Sequence, residues 1–397
     1  MVITQNVECG VCSEEYFIRV GVGFDSFQRH YFDCLECEEP ISIAVRANPP
    51  NAHVEVLDNC KLVTIDDSKK VINLHPNCCF PVSTYHERRT FPSLNALSLI
   101  AKHIRPAEGK FQDVATQFDI PNAVNLWHKI KTIVNLSKKN GKEKILKKQI
   151  NDYNSQRNKH KPTLCNCATA EDVLNEFYDS LFYPRVNDIS AKIFTIIDNL
   201  HTTGKLDDFH SYLASDLKEQ NENRYMSTLS SYFRYRDIFG QLIERARINN
   251  NDVDDMMVGS KSFDEIKLYY GEVYEALTSN FTVLACLNNL DAGRKYDEFQ
   301  HMTLNKYIKD LEKAKKHNPF KDNPAFSSFS NELDSSLRNG SHHASIWRKG
   351  EVVMYRSGGT GAQRNISYSR YLHMCNVLTI SLVSLNMIEL KIRSKYS

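Results

Sequence analysis

Several features that would place a chain quickly are missing from these 397 residues. There is no long unbroken apolar run. The most apolar stretch, 377–390, is interrupted by Thr379, Ser381, Ser384, Asn386 and Glu389, and reads as too short and too polar to span a bilayer. Neither charge predominates: 50 Lys and Arg against 48 Asp and Glu leave +2, which excludes a uniformly basic nucleic-acid coat but permits local patches. The opening M-V-I-T-Q-N-V-E-C has no basic segment followed by an apolar core, so no secretory leader is expected and cytoplasm is the expected location. No internal repeat is evident. The glycine-rich S-G-G-T-G at 357–361 lacks the Lys and following helix of a phosphate-binding P-loop and reads as a hairpin turn. No carboxylate cluster suited to a pair of magnesium ions is visible.

What is present starts with cysteine. Eleven cysteines, an odd number, argue against a disulfide frame and for a reducing compartment with metal binding. Cys9 and Cys12 form one C-x-x-C, and Cys34 and Cys37 form another 21 residues later. Four thiolates in two knuckles suit tetrahedral zinc, and a site filled by four sulfurs has no open position for catalysis. The expected cofactor is therefore a structural Zn2+ that folds its module. E-E-Y-F-I-R-V-G-V-G-F between the knuckles reads as a strand and turn, and 41–45 as another strand. The whole of 1–45 resembles a zinc ribbon. Cys60, Cys78 and Cys79 lack a C-x-x-C frame and read as buried or spare, as do Cys165 and Cys167.

Hydrophobic and charged fractions of 41% and 25% are ordinary for a soluble protein, and the length predicts two or three domains. Residues 46–92 read as a β-rich extension, with H-V-E-V-L-D, K-L-V-T-I-D-D and C-F-P-V-S-T-Y as strands between turns. A helix over 94–104, ending before Pro106, opens a basic helical and linker region, 93–168. Within it, 129–161 carries ten Lys and one Arg against Glu143 and Asp152, a local +9. That stretch has two readings, an electrostatic grip on RNA phosphates or a solvated helix face followed by a flexible connector over 151–162. Residues 169–260 read as a helical middle domain. It has a capping-box start at T-A-E-D, helices over 189–200 and 224–248, and a linker at 249–255.

The last third has the clearest pattern. Ser262 with Glu265 predicts a cap before a long helix with the stripe Ile266, Tyr270, Val273, Leu277, Phe281, Leu284 and Leu287, ending near Gly293. Leu304, Tyr307, Ile308 and Leu311 predict a second helix. A third is expected from Asn323-Pro324, with Phe326, Phe329, Leu333 and Leu337 inward, running into L-R-N-G-S-H-H. A β-hairpin should follow, then a final helix over 369–391, apolar nearly all round and central. At 100° per residue Arg338 and His342 share a face, as do Asn339 and His343. Arg338 and His343 lie about 140° apart, so they converge only if Gly340 distorts the turn or a second chain completes the site. A guanidinium can hold phosphate oxygens, and imidazoles titrating near neutral pH can move the protons of a ribose phosphodiester cleavage.

Arg338, Asn339, three spacers and His343 resemble the signature of the HEPN superfamily, all-helical domains that are often metal-independent ribonucleases. The order of helices, motif, hairpin and closing helix over 261–397 is similar to theirs. The chain as a whole is expected to be α+β: a small N-terminal zinc-ribbon and β region, then a mostly helical half ending in a HEPN-like bundle with a hairpin. The resemblance implies a homodimer whose two motifs line one cleft, with His343 as principal acid/base, Arg338 as phosphate ligand, Asn339 orienting His343 and His342 as competing imidazole. It implies RNA as partner, tRNA or mRNA, and products with 2′,3′-cyclic phosphate and 5′-hydroxyl ends. Tyr355 and Tyr368 are candidates for stacking bases. Family members with an added sensing domain often act as toxins or in anti-phage defence, with a regulatory or trigger protein; no membrane partner is expected. The alternative is a HEPN-type nucleic-acid-binding or dimerisation adaptor without chemistry, carrying a structural zinc.

Overall fold

A computed structural model describes the chain except residues 49, 65, 67–68, 105–117, 161–163, 260–262, 360 and 397. The architecture is α+β, with N-terminal sheets around the Cys cluster, then a mostly helical part ending in a small sheet and a long helix. Strands β1 (Val2–Cys9), β2 (Glu15–Gly21), β3 (Phe27–Asp33), β4 (Pro40–Asn48), β5 (Asn51–Asp58), β6 (Cys60–Val63) and β7 (Lys70–Leu74) form two sheets. One runs β6-β1-β2-β7, the other β3-β4-β5. All pairings are antiparallel except β2 with β7. Inward residues of both sheets, among them Val7, Tyr16, Ile18, Phe32, Ile43, Val45, Ile72 and Leu74, form one core, so 1–45 and 46–92 are packed together. Strands β1, β3 and β7 carry no strong alternation of their own and were not visible as strands in the sequence.

The strand expected over 79–85 shortens to β8 (Phe80–Pro81), which pairs with β9 (Met256–Met257) after the 249–255 linker. Helix α1 (Pro92–Ile100) follows, and Pro106 lies outside the described residues. Next come α2 (Ala123–Ser137) and α3 (Glu143–Asn158). The connector expected over 151–162 is helical to Asn158. Tyr153, Asn154 and Arg157 are buried there, with Arg157 on Glu176 at 3.1 Å and the Asn154 amide on the Cys167 carbonyl at 2.9 Å. Tertiary contacts thus override a polar, unpatterned sequence.

Helix α4 (Ala170–Phe182) begins with the expected capping box, Thr169 and Asp172 each satisfying the other's backbone N–H. Then come α5 (Arg185–Thr202) and α6 (Asp207–Tyr212). The single helix expected over 224–248 is two, α7 (Lys218–Arg234) and α8 (Arg236–Arg247), broken at Tyr235, whose φ of −113° and ψ of 26° leave the helical region. The break lets Phe233 stack on Trp127 of α2 while Tyr232 stacks on Phe239 of α8.

Ser262 lies outside the described residues. A short α9 (Phe263–Ile266) precedes the long α10 (Tyr269–Asp291), whose expected stripe is buried throughout. Gly293 ends it at φ +77°, where a side chain would be strained. Helix α11 (Leu304–Lys309) is brief. The third helix expected from 323 does not form. The chain makes a 3-10 turn at Ser327–Ser330, passes Glu332 at φ +60° and starts a fresh helix, α12 (Ser335–His342). Asp334 is the reason. Its carboxylate accepts from the N–H groups of Ser336 at 2.7 Å and Leu337 at 3.0 Å, a stronger start signal than Asn323-Pro324.

The expected hairpin is a three-stranded antiparallel sheet, β10 (Ile346–Lys349), β11 (Val352–Arg356) and β12 (Gln363–Ser367). The closing helix α13 (Tyr368–Ser394) packs against α4, α5, α7, α8 and α10. Its length and hydropathy would suffice to cross a bilayer, a reach the interrupted run 377–390 understated; here that apolar window is wholly buried in the fold. One hydrophobic core extends from Ile120 to Ile392.

Glu389 is buried on α13, receiving the Tyr225 hydroxyl and, at 2.9 Å, the Asn221 amide. Burial pushes its carboxyl up to about 7, with the Tyr225 bond and Arg393 opposing. A carboxyl raised in the folded state contributes stability that is complete below the unfolded value near 4.5 and is lost as pH rises toward 7. Urea unfolding should therefore show the wild type losing roughly 3 kcal/mol between those pH values that Glu389→Gln does not lose. Equal pH slopes in the two proteins would contradict this.

Candidate functional site

Two constellations carry chemistry. The first is the Cys cluster. The knuckles at Cys9–Cys12 and Cys34–Cys37 are built alike. In each, the N–H of the first Cys reaches the carbonyl five residues on (Glu14 at 2.8 Å, Glu39 at 2.9 Å), and the residue four on returns its N–H to the first Cys carbonyl. That fourth residue, Ser13 or Glu38, sits at φ +61°. The turns throw all four sulfurs to one point: Cys9 to Cys37 is 3.7 Å, Cys12 to Cys34 is 3.5 Å, and all lie within 4.8 Å. Four sulfurs at about 2.3 Å from a tetrahedral zinc would be roughly 3.8 Å apart, so the cluster could hold such an ion.

The Tyr16 hydroxyl, 3.1 Å from Cys34, also accepts the Leu35 N–H at 2.8 Å and fixes the second knuckle to β2. Burial raises the Cys34 thiol, but Tyr16, the Cys37 and Glu36 backbone and Cys12 outweigh it and bring it down, while its neighbours in the cluster push Cys12 and Cys37 up, so one thiolate is shared among the four sulfurs. Cys60 pairs with Cys9 across β6 and β1 but bonds weakly to the Ser42 carbonyl, outside the cluster. Cys165 and Cys167 touch each other at 3.6 Å in the α3–α4 core, far in sequence from the knuckles.

The second constellation is the Arg-His motif on α12. The helix remains regular through His342, so Gly340 introduces no bend. Its lack of a side chain serves contact instead: a Cβ there would lie 3.2 Å from the Tyr355 Cβ and 3.4 Å from the Arg356 carbonyl, which tightens α12 onto β11. His343 caps the helix at φ −96° and ψ 18°, its N–H on the Asn339 carbonyl at 3.0 Å, and Ala344 at φ +52° closes the end. By helical spacing His343 stays on a different side from Arg338 within this chain.

Arg338 is held by a residue that the sequence did not single out. Its Nε donates to Glu275 of α10 at 2.6 Å and Nη2 pairs with the same carboxylate, while Nη1 donates to the Asn339 side chain at 2.7 Å. Asn339 in turn reaches the Ser357 hydroxyl at 3.5 Å. One turn along, His342 lies against Gly271, where a Cβ would come within 3.0 Å of its Nε2. One turn the other way, Lys313 donates to the Ser279 hydroxyl and stands 4.0 Å from Glu275. Gly271, Glu275 and Ser279 are spaced four apart on α10, a small and polar stripe within an apolar helix, and that stripe was the available signal.

The two imidazoles are exposed and, among the described residues, make no side-chain hydrogen bond. Tyr355 and Tyr368, expected as base-stacking candidates, are buried instead, at 3% and 0% exposure, Tyr355 donating to Asp334 and Tyr368 lying under Arg348. Both pack the fold. The basic stretch forms the exposed face of α3 and the end of α2, with Lys138 on Glu222 and Lys129 on Asp152.

No protein family, curated protein or solved structure matches this chain.

Purified protein should carry one zinc per chain by atomic emission. Cys34→Ser should lose it and unfold at lower temperature, while Cys60→Ser keeps it. Full zinc content in Cys34→Ser would exclude the four-sulfur site.

Proposed function

We propose that the chain is a metal-independent, HEPN-like endoribonuclease acting through Arg338, Asn339, His342 and His343. The observation that carries this reading is the seating of α12 on α10. Arg338 is oriented at the surface by Glu275 and Asn339, and two exposed imidazoles stand within the next turn. These groups supply what the reaction needs. One imidazole takes the 2′-hydroxyl proton, and the 2′-oxygen bonds to the adjacent phosphorus. The bond from phosphorus to the 5′-oxygen breaks, and a second, protonated imidazole supplies that oxygen with a proton. The guanidinium holds the non-bridging oxygens of the crowded phosphate. The products are a 2′,3′-cyclic phosphate and a 5′-hydroxyl.

His343 is assigned as principal acid/base, and its position away from Arg338 is the reason to infer a homodimer with a composite cleft. His342, on the Arg338 face, is the competing imidazole. On this reading the enzyme cuts tRNA or mRNA in the cytoplasm as a toxin or anti-phage effector. The zinc-ribbon-like half, with its structural zinc, would answer a trigger or inhibitor protein. A second reading, a HEPN-type nucleic-acid-binding or dimerisation adaptor, draws on the Arg338–Glu275 pair, which occupies part of the guanidinium fork.

Cleavage of total RNA and tRNA in excess EDTA, in a short assay, tests the two. Wild type should cut and leave cyclic phosphate ends. Arg338→Ala and His343→Ala should lose on the order of 10²–10⁴-fold in rate. Loss in His342→Ala with retention in His343→Ala would reverse the assignment of the imidazoles. Equal cleavage by every variant would mean a contaminant. If wild type neither cuts RNA nor is toxic on expression, while binding RNA, the adaptor reading stands.

A further inference from the structure

The stripe on α10 extends beyond the motif. Gly271, Glu275 and Ser279 are met in turn by His342, Arg338 and Lys313, each step being four residues or about 6 Å of helix. Arg224 of α7 adds a third cation at the far end. Its Nη1 donates to Asn280 on α10 at 3.0 Å and to Asn221 at 3.1 Å, and its Nη2 to Gln220 at 3.3 Å. Those partners are neutral amides. Among the described residues Arg224 has no ion pair. Lys313 is 35% exposed at the side chain and Arg338 28%, so both can be reached from solvent.

The charges here are unbalanced. Lys313 and Arg338 share one paired carboxylate, Glu275, and the acid that acts on Arg224 is the buried Glu389, itself bonded to Asn221 and Tyr225. Asp334, also nearby, is engaged by the backbone N–H groups that start α12 and by the Tyr355 hydroxyl. Lys316 adds a fourth cation behind Lys313, though it is turned inward onto the Tyr307 and Ile308 carbonyls. Burial draws the Lys313 ammonium down; Glu275 pulls it back up, and Arg224 and Arg338 lower it further. Three cations near one shared surface carboxylate, with Arg224 held by amides and Lys313 also on a hydroxyl, are a standing site for an anion.

We infer that Lys313 and Arg224 form a second phosphate-binding subsite beside Arg338, lined by Ser279 and Asn280. This rests on the ribonuclease reading for the source of the phosphate. A step of about 6 Å along α10 is of the order of one nucleotide of an extended strand, so the subsite takes the phosphodiester neighbouring the one that is cleaved. It gives the enzyme a grip on the strand that does not depend on base sequence. It also sets the direction in which the strand runs, along α10 from Gly271 toward Ser279.

Two probes on the full chain test this and separate it from the ribonuclease reading. Inorganic pyrophosphate at millimolar concentration should raise the unfolding temperature of wild type by on the order of 2 °C. That shift should vanish in Arg224→Gln and Lys313→Gln and persist in Lys192→Gln, an exposed lysine on α5. A labelled 2′-O-methyl oligonucleotide, which cannot be cleaved by attack of its own 2′-oxygen, then reads the strand. Each of the two variants should flatten the dependence of log affinity on log salt, and the double variant by about 0.7, the loss of one phosphate contact. A pyrophosphate shift that is absent from wild type, or equal in all variants, overturns the subsite. A shift lost in the variants while oligonucleotide binding keeps its salt slope overturns the RNA source and leaves a site for a free phosphate. Loss of both with cleavage absent even in wild type upholds the subsite and removes the ribonuclease.

Discussion

The fold depends on burying α13 on every side. A helix of 27 residues buried over nearly its whole length needs partners for the polar side chains it carries, and those that find them fix the neighbours in place. Asn376 accepts the Tyr232 hydroxyl at 2.9 Å and donates to the Phe239 carbonyl at 2.8 Å, which locks α13 to α7 and α8 across their break. Thr379 meets the Tyr269 hydroxyl of α10 at 2.8 Å, and the Tyr371 hydroxyl reaches the Ile266 carbonyl at 2.9 Å. Asn386 donates to Tyr178 of α4 at 3.1 Å. An apolar helix of this length could rotate or slide among its neighbours at small cost. The spaced polar bonds each accept one register only, so they determine where α10 lies, and α10 presents the stripe on which the motif is seated.

The N-terminal unit is tied to this body through the strand that follows the motif. Arg348 on β10 pairs with Asp33 at 2.6 Å, one residue before Cys34, while stacking over Tyr368 at the start of α13 and bonding Glu351 at 3.1 Å. Arg348 has 10% of its side chain exposed, so this pair is largely withdrawn from water and far from a surface ion pair in its geometric demands. A knuckle that loses its shape moves Asp33. The nearest elements to feel that are β10 and, four residues before its start, the end of α12. The cysteine cluster and the motif are therefore linked through Asp33 and Arg348, although more than three hundred residues separate them in sequence.

What the sequence disclosed was whatever a short local pattern can specify. The two C-x-x-C pairs brought their sulfurs together, Thr169 capped α4, and the apolar stripe of α10 and the all-round apolarity of 369–391 became buried helices. What it concealed was set by distant partners. Strand β7 pairs parallel to β2 across some fifty residues, and nothing in K-V-I-N-L announces that. The break at Tyr235 follows from where Trp127 and Phe239 lie, and the restart at Asp334 from Tyr270, whose hydroxyl accepts the Asp334 N–H and donates to the Glu332 carbonyl. The aromatics Tyr355 and Tyr368 looked like surface rings on a hairpin because the added strand β10, whose Arg348 lies over Tyr368, and the bond from Tyr355 to Asp334 could not be seen from composition. At the motif, the shared face of Arg338 and His342 was legible; the side chain of Asn339, expected to orient His343, bonds Arg338 and Ser357 instead. Glu275, Lys313 and Arg224 were not legible, since each comes from a different helix.

Glu275 might be thought to silence Arg338, and magnitudes decide against it. Both side chains are 28% exposed, and an ion pair so placed is worth on the order of 1 kcal/mol or less. A bidentate bond from a guanidinium to a phosphate is charge-assisted and competes easily with that. The carboxylate also has a second cation at hand, because Lys313 stands 4.0 Å from its other oxygen. In the proposed reaction an arriving phosphodiester can take the Arg338 fork and displace Glu275, and its negative charge offsets one of the cations beside it. Glu275 then serves as an orienting group: it keeps a long, flexible side chain aimed outward in the empty site, and so lowers the entropy that substrate binding must remove. The same pairing keeps the Arg338 fork from holding anions indiscriminately, because a ligand there has to displace a carboxylate first.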